Sequence, residues 1–295
     1  MKRRISIVLV VIFVVVIGAF TIYAKTSDTK SNKEEVKLGF MSNIKELSEI
    51  SAIMDLVEEN FVDSNPDKKI TVWEIDNNNK SNKHISSKYL QYESIKLDKS
   101  EMAINDIEFS NLTDPNSIHV IDTGGSDDAT KILAHLKQVN LTGLQYILPT
   151  NEDMDQIDNI LAVIEIIRQQ DKFAKIYLLL NRCISLTEEK IKQQFINVFG
   201  SRELGIPSQI ENLKIDEILF VENSNVYTLL KSHYKIAMLD FYFESVDLRE
   251  NIQEYKVQWS QQGHEVFSAN NGKFIFSGLV LDLIEKLEPI RKALL

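Results

Sequence analysis

The sequence predicts an α/β fold: a doubly wound, mostly parallel sheet preceded by one N-terminal transmembrane helix. Three observations carry that expectation. The first is a run of 20 uncharged residues, Ile5 to Ala24. The second is an alternation of short apolar runs, rich in β-branched and aromatic residues, with longer amphipathic ones. The third is that residues 36–295 hold no Pro/Gly-rich break and no internal repeat. Near-continuous apolar strands alternating with helices are the pattern of a parallel sheet covered on both faces.

Taken in chain order, residues 1–4 form a short basic tail with Lys2, Arg3 and Arg4. Residues 5–24 come next as the expected spanning helix; at about 1.5 Å per residue they reach ~30 Å, the thickness of a bilayer core. A cleaved signal peptide is the alternative, but its apolar region is usually ~7–15 residues. Ile22 also fits poorly three residues before a cut after Ala24. A buried core helix would carry a polar face, and this run has almost none. Tyr23 and Lys25 stand where an interfacial anchor is expected. The Lys-Arg-Arg tail favours a cytoplasmic N-terminus and an external domain. Lys25, Lys30, Lys33 and Lys37 nearly balance it from the other side.

Residues 25–35 are polar and aperiodic and read as a flexible tether. The remaining 260 residues suit one α/β domain. Residues 1–35 hold 6 basic and 3 acidic side chains, so the rest carries 27 and 40, a net charge near −13. So acidic a domain is a poor non-specific binder of nucleic acid or anionic lipid. The one cysteine, Cys183, excludes an intrachain disulfide framework. The five histidines show no metal-ligand spacing, which argues against zinc.

Strands are expected at Val36–Phe40, Ile70–Ile75, Ile118–Ile121, Leu144–Leu148, Ile176–Leu180 and Ile218–Val221. Helices are expected at Lys45–Phe61, Ser126–Gln138, Met154–Gln170, Glu188–Phe199 and Val226–Ser232. Residues 77–117 break the rhythm and read as a long excursion with one or two weak strands. Phe274–Leu294 reads as a strand followed by a closing helix with Leu279, Leu283 and Leu287 on one face.

In such a sheet ligands bind at the carboxyl ends of the strands. Five short motifs at those ends, in order, resemble the ParA/MinD family of deviant-Walker P-loop ATPases. Glu74-Ile-Asp76-Asn-Asn is similar to the family's Asp-x-Asp-Pro-Gln segment near magnesium and the attacking water. Val120-Ile-Asp122-Thr-Gly-Gly125 resembles the Walker B strand and its switch, which implies that Asp122 orients magnesium through water. Ile147-Leu-Pro-Thr150 resembles a Val-x-Pro-Thr strand end, and Leu178-Leu-Leu-Asn181-Arg182 the strand whose Asn reads the adenine base. Val221-Glu-Asn-Ser-Asn-Val226 stands where the family has a nucleotide-proximal loop.

The phosphate loop departs from that family. Its one candidate is Gly39-Phe-Met-Ser-Asn-Ile-Lys45-Glu46, with Gly39 and Lys45 correctly spaced. Phe40 replaces the signature lysine, Ile44 the last glycine, and Glu46 the magnesium-binding hydroxyl. A phosphate cradle needs glycine backbone and a cation, so a carboxylate and a branched side chain oppose it. The expectation is therefore a membrane-anchored ParA/MinD-like domain without ATPase activity and without a cofactor. It would dock on a protein partner or on a second copy, as an accessory subunit in plasmid partition, conjugation or envelope assembly. The main alternative is an ATPase binding Mg-ATP, with Lys45, Asp76 and Asp122 as its catalytic candidates and Gly39, Lys45, Asn181 and Asp122 as its nucleotide contacts. A further alternative is an extracytoplasmic small-molecule-binding module. Each residue also has an ordinary reading: Asp122 or Thr123 as a helix cap, Lys45 as a solvated first-turn lysine, Asn181 as a local backbone partner. Fold ancestry points the domain to the cytoplasm, while the N-terminal charge points it outward.

Overall fold

A computed structural model describes residues 7–12, 70–75, 87–113, 117–123 and 126–294. Seven strands form its sheet: β1 Ile7–Ile12, β2 Ile70–Ile75, β3 Leu90–Ile95, β4 Ile118–Thr123, β5 Gln145–Thr150, β6 Lys175–Cys183 and β7 Glu217–Glu222. Their order is β3-β2-β4-β1-β5-β6-β7, and every described pairing is parallel. Two blocks of three strands, β3-β2-β4 and β5-β6-β7, are joined by β1. It pairs with Ile118–Thr123 on one side and with Gln145–Ile147 on the other.

This joining strand differs from expectation. Ile7–Ile12 lies inside the run read as a spanning helix, yet its six residues are extended and lie in the centre of the sheet. A continuous run of Ile, Val and Leu is what a strand covered on both faces requires, so the same composition serves either role. The rest of that run, the tether, strand Val36–Phe40 and helix Lys45–Phe61 lie outside the described residues. Among the described residues, no helix is long and apolar enough to cross a membrane.

Helices cover both faces. On the first lie α1 Ser100–Thr113, α2 Ser126–Gln138 and α3 Met154–Gln170, then the short α4 Glu188–Gln194, α5 Ile196–Phe199 and α6 Ile210–Leu213. Ala103, Ile132, Ile160 and Ile164 pack there on Ile121, Tyr146, Leu148 and Leu178. On the second face lie α7 Val226–Leu229 with its π-turn Leu230–Tyr234, α8 Met238–Glu250 and α10 His264–Leu294; α9 Ile252–Gln261 links the last two. Along α10, Phe276, Val280, Leu283, Leu287, Ile290 and Leu294 recur every three or four residues and are all buried on Val72, Val120, Ile147 and Leu179. Tyr234 stacks on Phe276 at 4.7 Å, and Phe241 meets both rings, fastening the π-turn, α8 and α10 together. Tyr177 Oη donates to the Ala293 carbonyl at 2.9 Å, tying the end of α10 to β6.

Several expectations about elements are corrected. Phe274 starts no strand, because α10 runs unbroken from His264. Leu279 is 51% exposed, at the margin of the face that buries Leu283 and Leu287. Glu188–Phe199 breaks at Phe195, whose φ −102, ψ 45 lies outside the helical range. The 77–117 excursion contains β3 and a full helix, α1. Its helical period is masked because it is apolar on two sides, Ala103, Ile104 and Ile107 inward and Met102, Phe109 and Leu112 outward. Helices α8 and α9 add to the expected elements.

Polar ties fix the element ends. Asp171, 1% exposed, accepts backbone N–H bonds from Gly143 at 2.9 Å, Leu144 at 3.0 Å and Phe173 at 3.0 Å, locking the end of α3 to the start of β5. Asp240 of α8 accepts from the Lys88 N–H at 2.7 Å and from the Ser87 hydroxyl, holding the chain entering β3. Removing a buried acceptor leaves its donors desolvated at about 1–3 kcal/mol. Asp171→Ala should therefore lower the unfolding free energy by about 2–3 kcal/mol in urea titration, with Asp171→Asn losing less because one acceptor oxygen remains.

Candidate functional site

The carboxyl ends of β2, β4, β1, β5 and β6 follow one another across the sheet, where open parallel sheets hold ligands. Asp122 is the fifth residue of β4, directly opposite Val11 of β1 and Glu74 of β2. It is 4% exposed, and Glu74 is 1% exposed. Partners in a parallel ladder point to the same face, and neighbouring strands are about 4.8 Å apart. The sheet thus sets two buried carboxyl groups side by side, with Val72 and Val120 below them on the α10 face. The sequence motif places Glu74 with Asp76; Asp76 lies outside the described residues, and the fold partners Glu74 with Asp122.

Asn181 lies three strands away, on β6. Pairing with β7 slips between Leu180 and Cys183, forming a bulge, and Arg182 takes a left-handed φ of 62 within it. A non-glycine residue in that region is strained, and bulges re-aim side chains beside functional sites. Gln194 of α4 clamps the bulge, its Nε2 donating to the Arg182 carbonyl at 2.9 Å and its Oε1 accepting from the Ile184 N–H at 2.8 Å. Asn181 is 3% exposed, and its Nδ2 has no hydrogen-bond partner among the described residues. The same holds for Thr123 Oγ1, 2% exposed at the tip of β4. Asn181 lies three strand spacings from Asp122 and, because Asp122 is level with Tyr177 across β1 and β5, four residues further along its strand, so the two are roughly 19 Å apart.

Other motif residues have local structural partners. Thr150 Oγ1 donates to the Asn151 carbonyl at 3.2 Å, and Gln156 Oε1 accepts from the Asn151 N–H at 3.1 Å. The Pro149-Thr150 strand end is thus a turn capped by the helix it leads into. Glu222 pairs with Lys286 of α10, tying the end of β7 to the C-terminal helix. Trp73 is a packing residue; its indole N–H donates to His119 Nδ1 at 3.1 Å. Trp259 is buried as well. Gly39 and Lys45 lie outside the described residues. No group of three or more His, Cys, Asp or Glu side chains suited to a metal ion occurs among the described residues.

Cys183 is fully buried, its thiol donating weakly to the Leu180 carbonyl at 3.4 Å. Burial pushes that thiol up from its ordinary 9.0 to about 11, with nearby Glu222 and Glu152 adding to the rise. A protonated, enclosed thiol is a packing group.

Among family models and curated proteins, none matches this chain.

The raised thiol has a signed consequence for stability. The folded state holds Cys183 protonated, so its contribution is full below the unfolded value near 9.0 and is lost as pH rises toward about 11. Cys183→Ala should flatten the loss of melting temperature across that interval. At pH 7.5 the wild-type thiol should resist iodoacetamide in buffer and react in denaturing urea, as read by intact mass.

Proposed function

We propose that the chain is a docking or accessory subunit, built on a ParA/MinD-like doubly wound fold that does not hydrolyse ATP. The observation that carries the reading is the composition of the segment leaving the strand beside Asp122. In a P-loop ATPase the phosphate loop leaves the sheet next to the Walker B strand, and its glycines and lysine cradle the phosphates. Here that neighbour is β1, and the residues after it, Phe13 to Ala24, include one glycine and no lysine. The other candidate loop, Gly39–Glu46, carries Ile44 and Glu46 where backbone room and a hydroxyl are needed. Glu74 beside Asp122 further opposes phosphate, since two carboxyl groups gather negative potential where the ligand's own charge would lie.

The strand order, Asp122 at the end of β4 and Asn181 at the end of β6 support the resemblance at the level of architecture. With the chemistry gone, the fold's outer surfaces are left as its working part. An acidic domain, near −13 beyond residue 35, directs that surface to proteins rather than to nucleic acid.

Membrane attachment belongs to the same proposal and is favoured by the length of the uncharged run, 20 residues from Ile5 to Ala24. A strand over Ile7–Ile12 leaves Phe13 to Ala24, about 18 Å as a helix and short of a bilayer core. One molecule therefore cannot use the run in both ways at once.

Titration calorimetry of the full chain with magnesium and ATP tests the absence of nucleotide chemistry. No saturable heat is expected. A micromolar binding isotherm abolished by Lys45→Ala or Asp122→Asn would establish the ATPase alternative in its place.

A further inference from the structure

The net charge near −13 beyond residue 35 is unevenly placed along the strand direction. The paired strands are parallel, so their amino ends share one end of the sheet and their carboxyl ends the other. At the carboxyl end stand Glu152 and Asp153 after β5, Glu188 and Glu189 opening α4, and Glu222 closing β7. The amino end is different. Three turns, 137–144, 171–175 and 214–217, lead there into β5, β6 and β7, and polar bonds lace them together. Asp171 accepts from the N–H groups of Gly143, Leu144 and Phe173. Arg168 donates to the Ala174 carbonyl at 2.7 Å and the Lys214 carbonyl at 3.0 Å, and pairs with Asp216. Asp216 accepts in turn from the Ile176 N–H at 2.7 Å. On this platform Lys137, Lys172, Lys175 and Lys214 are all exposed, and none has an ion-pair partner among the described residues. Outside the Arg168–Asp216 pair, the exposed acid on these turns is Glu217. Phe173 stands between Lys172 and Lys175 at 78% exposure, its backbone pinned by Asp171. Ile7, the first residue of β1, lies at this same end, and Lys2, Arg3 and Arg4 precede it in the chain.

We propose that this end of the sheet docks on an anionic lipid surface, with Phe173 entering the headgroup layer and the four lysines meeting lipid phosphates. A bilayer interface offers an apolar medium beneath a layer of negative charge, and a bare phenyl ring set among unpaired cations matches both. No shaped pocket is needed. The ring is held on a fastened turn, so little conformational freedom is lost when it inserts. The acidic end does not oppose the contact. Strand β6 has nine residues, which at ~3.3 Å each put Glu222 and its neighbours about 30 Å from the lipid. That distance is several times the screening length of about 8 Å at physiological salt. A nucleic acid would meet the same lysines, but three convex turns present no helix or strand to lie in a groove. Docked in this way, the strands stand across the plane of the membrane and their carboxyl ends face away from it. The contact belongs to the form with β1 in the sheet. It rests neither on the docking reading nor on the loss of nucleotide chemistry.

Co-sedimentation of the full chain with vesicles of phosphatidylcholine, alone or mixed with phosphatidylglycerol, tests this contact. The neutral vesicles report binding through the apolar run Ile5 to Ala24, and the excess on anionic vesicles reports the amino end of the sheet. That excess should be present at low salt and fall away at high salt. Lys172→Gln/Lys175→Gln should weaken it about 20-fold, at roughly fivefold per lysine, with neutral-vesicle binding, circular dichroism and melting temperature unchanged. Brominated lipid in anionic vesicles should quench the added emission of Phe173→Trp and leave the wild type, whose Trp73 and Trp259 are buried, unquenched. Equal binding to both vesicles, an anionic preference indifferent to the two lysines, or an unquenched Phe173→Trp would overturn the proposal. So would tighter binding to duplex DNA or polyglutamate than to anionic vesicles, lost with the same lysines, which would assign this end to nucleic acid or to an acidic protein.

Discussion

The slot between β4 and β5 is the constraint on which the rest of the molecule depends. Each of these strands turns an inner edge toward it, and backbone groups enclosed between two helical layers must be paired. Strand β1 supplies the partners, in register with Ile118–Thr123 on one side and Gln145–Ile147 on the other. With the slot filled, the two three-stranded blocks become one sheet and the helices on each face cover a continuous surface. With it empty, the blocks would present unpaired edges to each other in the middle of the domain.

The two faces solve different problems. Helices α1 to α3 are crossovers, and their place is set by the strands they connect. The second face is closed from the C-terminal end of the chain, by α8 and the long α10. The latter is fastened by the Tyr234–Phe241–Phe276 rings, the Lys286–Glu222 pair and the Tyr177 bond to Ala293. These fastenings include Glu222, the last residue of β7, and so tie the end of that strand to α10. At the strand ends, Thr123 Oγ1 and Asn181 Nδ2 are among the buried polar atoms with no hydrogen-bond partner among the described residues, the second set in a strained bulge.

Much of the sheet was legible in the sequence because buried parallel strands are nearly continuous apolar runs. Ile70–Ile75 keeps its expected limits, and four other strands only shift or lengthen at their ends. Helices α2 and α3 keep theirs because each has one apolar face. Strand β1 was not legible, since uninterrupted Val and Ile satisfy a buried strand and a bilayer helix equally. Helix α1 was hidden by its second apolar side, and α10 by the aromatic cluster near Phe274 that mimics a strand. At the candidate site, the positions of Asp122 and Asn181 at strand ends could be read from local pattern. The Glu74–Asp122 pairing could not, because register joins residues 48 apart in the chain. The Asn181 bulge also has no local signal, since its clamp, Gln194, comes from the next helix along the chain.

Removing residues 1–35 and measuring whether residues 36–295 fold tests the filled slot most directly. If Ile7–Ile12 closes the sheet, the truncated chain should lose cooperative thermal unfolding and be digested by dilute protease under conditions that spare the full chain. A soluble, protease-resistant 36–295 fragment with a single sharp unfolding transition would contradict the account. It would return the whole N-terminal run to the membrane.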